Sequence, residues 1–278
     1  MARKTSVSDN NLFPEFCYMA SKHDDIFQNF KVHPIYCQII PGRLDNYHVS
    51  LGAEFIKIFL NNPEFKPDRD SWQKIFLHDS VGNPEKVTYN IGVSTPSGGG
   101  VQITCAQLTP RYIKVASDIF SLFDRNKIKV ISEIGIGYAG QCNVLMSLLP
   151  DIQYNLVDLP EVLSLAERCL TEIGQTERIR YIDGTHLYND VPSDLIISEF
   201  AFSELIKSVQ DVYLEKIILK SKAGYITWND GISKKVWNTD GYTLKEILSI
   251  IPGATAIQMP PKMYQGDQET CTILWGTR

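Results

Sequence analysis

Two glycines, Gly135 and Gly137, sit just after Glu133 in the run Val130-Ile-Ser-Glu-Ile-Gly-Ile-Gly-Tyr-Ala-Gly140. Glycine tolerates backbone angles that a Cβ would penalise, so the chain can turn sharply here and lie close to a ligand. Asp158 closes a second apolar run. It follows Gly135 by roughly the interval of about 20 residues that a nucleotide-binding βαβ unit leaves between its turn and an acid for the ribose hydroxyls. A dinucleotide turn aims backbone N–H groups and a helix N-terminus at a pyrophosphate. Glu133 argues for a different ligand. A carboxylate beside the turn opposes a phosphate and suits a cation, and S-adenosylmethionine carries both an ammonium and a sulfonium. The alternative is a glycine turn that binds NAD or nothing.

These residues need a frame, and the chain is long enough to build one. Its 278 residues can hold one large domain, or one domain with an appendage. The apolar share of 44% and the charged share of 21% are those of an ordinary globular protein. A net charge of −5 argues against nucleic acid as the main partner, because phosphate binding needs a basic face. No apolar run reaches membrane-spanning length, so a membrane is not expected as a partner either. The basic start, Met1-Ala-Arg-Lys-Thr-Ser6, has no apolar stretch behind it and does not read as a secretory signal. The six cysteines show no CxxC pair and no metal-ligand spacing, and several lie in apolar runs. A reducing, cytoplasmic setting is the simplest expectation.

From Ile128 onward, strand and helix patterns alternate. Strands are expected over Lys129–Glu133, Tyr154–Asp158, Arg178–Ile182, Leu195–Ser198 and Gly224–Trp228. Helices are expected over Gly140–Leu149, Pro160–Ile173, Gln210–Lys220 and Thr243–Ile250. In the second of these, Val162, Leu165, Ala166, Cys169 and Leu170 recur at helical spacing, and Pro160 suits a first turn. Two last strands, Ala254–Met259 and Thr270–Trp275, are joined by a polar loop, which implies one antiparallel strand. The expected fold is therefore α/β, a doubly wound parallel sheet with seven strands. By the crevice rule its ligands sit at the carboxyl ends of the strands, where Glu133, Asp158, Asp183 and Glu199 fall.

Residues 1–108 divide from the domain at 109–278. They read as a mostly helical region, with an amphipathic helix over Val49–Leu60 and a loop or hairpin turn at Thr95–Gly100. This region is expected to cap the sheet or to act as a dimerisation arm, which would make the protein a homodimer. Thr109-Pro110 reads as an N-cap and first-turn proline for a helix to about Phe123.

Three runs together resemble the sugar O-methyltransferase family of bacteria and archaea, class I enzymes dependent on S-adenosylmethionine. They are Glu133-Ile-Gly-Ile-Gly-Tyr-Ala-Gly140, Val157-Asp-Leu-Pro-Glu-Val-Leu-Ser-Leu-Ala-Glu-Arg-Cys-Leu170 and Asp194-Leu-Ile-Ile-Ser-Glu-Phe-Ala-Phe-Ser-Glu-Leu205. His78-Asp-Ser-Val-Gly-Asn-Pro84 looks like a Gly-Asn-Pro segment of the same family. The resemblance spans roughly residues 78–276. Two glycines of its pattern are replaced, by Ile136 and Ala139. It implies a Rossmann-like class I methyltransferase sheet and methyl transfer to a hydroxyl of a sugar or sugar nucleotide. Another small-molecule acceptor, such as a phenol or polyketide hydroxyl, and a non-catalytic scaffold that binds the cofactor are the alternatives. An apolar, aromatic-lined acceptor pocket would favour the phenol or polyketide, and a polar one the sugar.

Methyl transfer to oxygen needs alignment and a base for the hydroxyl proton. Glu204 is the first candidate, in the position where the family places a glutamate, and the alternative is a helix-start glutamate. His186 is the second, at the mouth of the third strand. The cofactor is expected to lie against Glu133, Gly135, Gly137, Tyr138, Gly140, Asp158, Leu159, Asp183, Gly184 and Glu199. Within this set Asp158 would take the ribose, Asp183 the adenine amino group and Glu199 the methionine end. Asp230 is a further candidate for substrate contact. Trp228 and Trp237 could stack on a sugar, or serve as core and surface. No spacing demonstrates a metal site, and a metal-free reaction is expected.

Overall fold

A computed structural model describes residues 12–40, 42–92, 100–229, 240–265 and 268–278. The candidates Asp230 and Trp237, and nearly all of the expected loop at Thr95–Gly100, lie outside these residues. The apolar runs become the strands β3 (Val130–Ile134), β4 (Gln153–Asp158), β5 (Ile179–Asp183), β6 (Ser193–Glu199) and β7 (Ser221–Trp228). With β8 (Thr255–Ile257) and β11 (Cys271–Trp275) they form one sheet in the order β5-β4-β3-β6-β7-β11-β8. The first five are parallel, and β11 runs antiparallel to both its neighbours. This is the expected doubly wound sheet of seven strands with one antiparallel member. The order reverses at β3, so a crevice opens between the ends of β4, β3 and β6, beside the glycine turn.

Strands covered on both faces must be apolar throughout. Ile131, Tyr154, Leu156, Leu195 and Ile197 are all fully buried. Asp194 fixes the start of the central strands by accepting hydrogen bonds from the amides of Lys129 and Val130 at 2.8 and 2.9 Å and from Lys222 Nζ at 2.7 Å. Helices α6 (Thr109–Leu122), α7 (Gly140–Leu148), α8 (Pro160–Glu172), α9 (Lys207–Lys216) and α10 (Leu244–Ile250) accompany the sheet.

Ahead of them lie α1 (Leu12–Lys22), α2 (Asp24–Phe27), α3 (Pro34–Cys37), α4 (Asn46–Asn61) and α5 (Arg69–Ile75). These helices share a core with the sheet: Phe13, Phe16, Tyr36 and Phe59 belong to the same buried cluster as Leu145 and Leu165. Arg168 of α8 donates to the carbonyl of Ala20, pairs with Asp24 and stacks over Phe27, which ties the first two helices to the sheet domain.

The structure corrects several local expectations. A hairpin of β1 (Lys86–Gly92) and β2 (Gly100–Ala106) interrupts the N-terminal helices. Its signal is a period of two, with Tyr89 and Ile91 buried between exposed Thr88, Asn90 and Gly92. Thr109 does not cap α6. Its hydroxyl donates to Asp79 Oδ1 at 2.7 Å, and Leu108 takes the cap position without a side-chain bond. The loop before β11 carries a two-residue hairpin, β9 (Tyr264–Gln265) with β10 (Gln268–Glu269).

Candidate active site

A cavity of about 820 Å³ lies at the carboxyl ends of the parallel strands. That is a size suited to a small-molecule ligand pair. Its floor comes from the strand ends and the turns after them: Glu133, Gly135, Gly137, Asp158, Gly184 and Glu199. The N-terminal region adds Ile40 from the turn after α3 and Tyr47, His48, Leu51 and Phe55 from α4, and Met263 adds to it from the C-terminal loop.

The turn has the conformation the glycines allow. Gly135 and Gly137 have φ of +76° and +54°. A Cβ on Gly135 would stand 1.9 Å from the Cβ of Ala201, so the turn packs against the segment after β6 with no room to spare. Ala139 also has a left-handed backbone, with φ of 65°, where the family pattern has glycine.

Asp158 reaches across to this turn. Its carboxylate accepts the amide of Ile136 and that of Leu159, both at 2.8 Å. Burial nonetheless pushes its pKa up to about 6. Glu133 is 3% exposed and accepts the Tyr154 hydroxyl at 2.7 Å. Burial pushes its pKa up to about 8, and the nearby carboxylates of Glu199 and Asp158 push the same way. The Ile136 amide, which would have to face a phosphate, is thus committed to a carboxylate, and two acids, buried Glu133 and half-buried Asp158, flank the turn. Such a donor set opposes a pyrophosphate and fits the cationic S-adenosylmethionine.

Glu199 is held from two sides. Arg111 of α6 donates from Nε and Nη2 at 2.5 Å, and Thr227 of β7 donates its hydroxyl at 2.6 Å. The Arg111 guanidinium also lies 4.7 Å from the centre of the Phe200 ring. Glu204 also lines the cavity and accepts Asn229 Nδ2 at 3.0 Å.

The structure brings together Glu133, Gly135, Gly137, Asp158, Leu159, Gly184, Glu199 and Glu204 around this cavity. Four other expected residues do not line it. Asp183 spends its carboxylate on its own turn, accepting the amide and hydroxyl of Thr185 at 2.8 and 2.5 Å and facing His186 Nδ1 at 2.8 Å. His186 is not among the lining residues, and its side chain is 61% exposed. Tyr138 is buried behind the turn, under Lys31 Nζ at 4.0 Å and beside Tyr112. Gly140 serves that packing, since a Cβ there would meet the Tyr112 ring at 2.5 Å. Trp228 is core, packed on Phe202. Among the described residues no group of three or more His, Cys, Asp or Glu converges as a metal site would require.

Sequence reasoning missed Arg111, Tyr112, Gln107 and His48. Arg111 sits 88 positions before Glu199, and no local spacing links the two. His48 lies on a helix whose apolar period is plain in the sequence, while its cavity-facing position depends on how the helix docks.

Residues 102–204 match a family described as an O-methyltransferase domain. No curated protein matches the chain. Among solved structures it is similar to LaPhzM, at 16% identity and a TM-score of 0.42, covering 61% of this chain and 56% of that one. It is similar to the mitomycin 7-O-methyltransferase MmcR at 12% identity and a TM-score of 0.42, covering 59% and 56%. It is also similar to an O-methyltransferase from neocarzinostatin biosynthesis, solved with S-adenosylmethionine and 2-hydroxy-5-methyl naphthoic acid, at 12% identity and a TM-score of 0.41, covering 60% and 57%. The chain spans little more than half the length of these proteins.

Proposed function

We propose that this chain is an S-adenosylmethionine-dependent O-methyltransferase acting on a hydroxyl of a small molecule. The observation that carries the reading is the pair of acids, buried Glu133 and half-buried Asp158, at a glycine turn beside the reversal point of the sheet. The match of residues 102–204 to an O-methyltransferase domain agrees with it. When bound, the cofactor supplies a methyl carbon on positive sulfur, an electrophile that needs no further activation. Asp158 would hold the ribose hydroxyls, with Leu159 and Gly184 beside the base. Glu133 and the Gly135–Gly137 turn would hold the amino-acid end. Glu204 is the one of the two expected catalytic residues that lies in the cavity, and it would hydrogen-bond the acceptor hydroxyl.

The acceptor wall favours an apolar molecule with a hydroxyl, such as a phenol or polyketide. Leu51, Phe55, Leu205, Val209 and Val212 offer surface that excludes water and no hydrogen bonds. A sugar, which the sequence resemblance implies, is the second reading. It rests on the polar groups His48, Gln107 and Glu204 in the same wall.

Calorimetric titration with S-adenosylhomocysteine, with NAD as control, tests the cofactor. Micromolar binding of the first alone is expected, and binding of NAD alone would sink the proposal. Turnover with S-adenosylmethionine across hydroxylated aromatics and nucleotide sugars then separates the two acceptor classes. Binding without turnover of any acceptor would point to a scaffold.

A further inference from the structure

The cavity holds few groups able to take a proton from an acceptor. Glu133 and Asp158 belong to the glycine turn, and Glu199 is saturated by Arg111 and Thr227. His48 and Glu204 remain, and His48 has the better construction.

His48 sits in the first turn of α4, and Asp45 is the N-cap of that helix. Asp45 Oδ1 accepts the His48 amide at 2.9 Å, and Oδ2 stands 2.6 Å from His48 Nδ1. Partial burial of Asp45 acts to raise its pKa, but the amide and ring of His48 outweigh it and hold the carboxyl below the usual range. An ionised carboxylate only accepts, so Nδ1 must carry the proton, and neutral imidazole then keeps its lone pair on Nε2. No described residue hydrogen-bonds that Nε2. The pair is also braced. Gln107, itself buried and lining the cavity, accepts the Asp45 amide at 3.1 Å and donates to the Arg43 carbonyl at 2.6 Å. A histidine that lines a ligand cavity, is oriented by a carboxylate and keeps one ring nitrogen unbonded has the build of a general base.

We propose that His48, oriented by Asp45, is the general base that removes the proton of the acceptor hydroxyl, with Glu204 orienting that hydroxyl. This rests on the methyltransferase reading above. A lone pair of the acceptor oxygen forms the new O–C bond. The electron pair of the broken S–C bond stays on sulfur, giving the neutral thioether S-adenosylhomocysteine. The hydroxyl proton passes to Nε2, and Asp45 balances the resulting imidazolium. Gln107 is a positioning residue for the pair.

Two measurements on the full chain test this. The first is the side-chain nitrogen NMR of His48 with S-adenosylhomocysteine added, assigned by loss of its signals in His48→Gln. The neutral ring is expected to carry its proton on Nδ1 in the wild type and to lose that preference in Asp45→Asn. A wild-type ring protonated on Nε2 would overturn the proposal. The second is turnover of catechol as probe. His48→Gln is expected to lower kcat by about 10²–10⁴-fold, with KM and S-adenosylhomocysteine affinity unchanged. Asp45→Asn is expected to give a smaller fall without loss of stability, because asparagine caps a helix as well as aspartate does. A kcat unchanged in His48→Gln and abolished in Glu204→Gln would assign the base to Glu204 and refute the proposal. If catechol is not turned over, the nitrogen shifts decide alone. Absence of S-adenosylhomocysteine binding in the wild type is a separate result, and it strikes the methyltransferase reading itself.

Discussion

Arg111 Nη2 lies 2.5 Å from Glu199 Oε2, joining the helix that precedes the sheet to the end of its fourth parallel strand. Both side chains are largely shielded, at 20% and 9% exposure. Removing one partner would leave a charge without compensation in a site of low dielectric.

Arg111→Met should therefore lower stability by about 3–5 kcal/mol, read from urea unfolding. Adding Glu199→Gln should restore most of the loss. If the double variant is as unstable as the single one, packing of Arg111 on Phe200 rather than the ion pair is what matters.

Stability without cofactor should fall as pH rises toward 8. Glu133 has a folded pKa of about 8 and Asp158 of about 6, both raised chiefly by burial. A raised acid binds its proton more tightly when folded, so its contribution is full below the unfolded pKa and lost as pH climbs through the folded one. Each tenfold gain in proton affinity on folding corresponds to about 1.4 kcal/mol. Thermal unfolding of Glu133→Gln should show a flatter profile than wild type from the ordinary carboxylate range up to pH 8, where the Glu133 proton is half lost. An unchanged profile would mean that Glu133 is ionised in the folded protein.

Ala139→Gly should stabilise the protein slightly. A left-handed alanine costs about 1–2 kcal/mol, and the buried methyl returns about 0.8 kcal/mol. A net gain of about 0.5 kcal/mol is the expected outcome in denaturant titration. A loss would show that the methyl packs better than this strain costs.

Gly135→Ala should abolish binding of S-adenosylhomocysteine by calorimetry. The new methyl meets Ala201 at 1.9 Å on a backbone with φ of +76°, so the turn must move. Wild-type affinity in this variant would remove the turn from the cofactor site.

Local chemistry made much of the protein legible before its shape was known. The apolar runs ending at Ile134, Asp158 and Glu199 had to be buried strands, and Pro160 and the helical period after it had to start a crossover helix. Their alternation called for a doubly wound parallel sheet with the acids at the carboxyl ends of its strands, while the strand order β5-β4-β3-β6-β7-β11-β8 came only with the structure. Period two also marks Tyr89 and Ile91, although that region reads as mostly helical. What the sequence could not decide is which strand-end residues turn inward. Asp183 and Asp158 end neighbouring strands in paired register, yet only Asp158 faces the cavity, because the Thr185 and His186 turn captures the other. Arg111 against Glu199, and His48 in one cavity with the glycine turn, come from segments far apart in the chain. Their meeting depends on how the N-terminal helices dock on the sheet, which no spacing along the chain encodes.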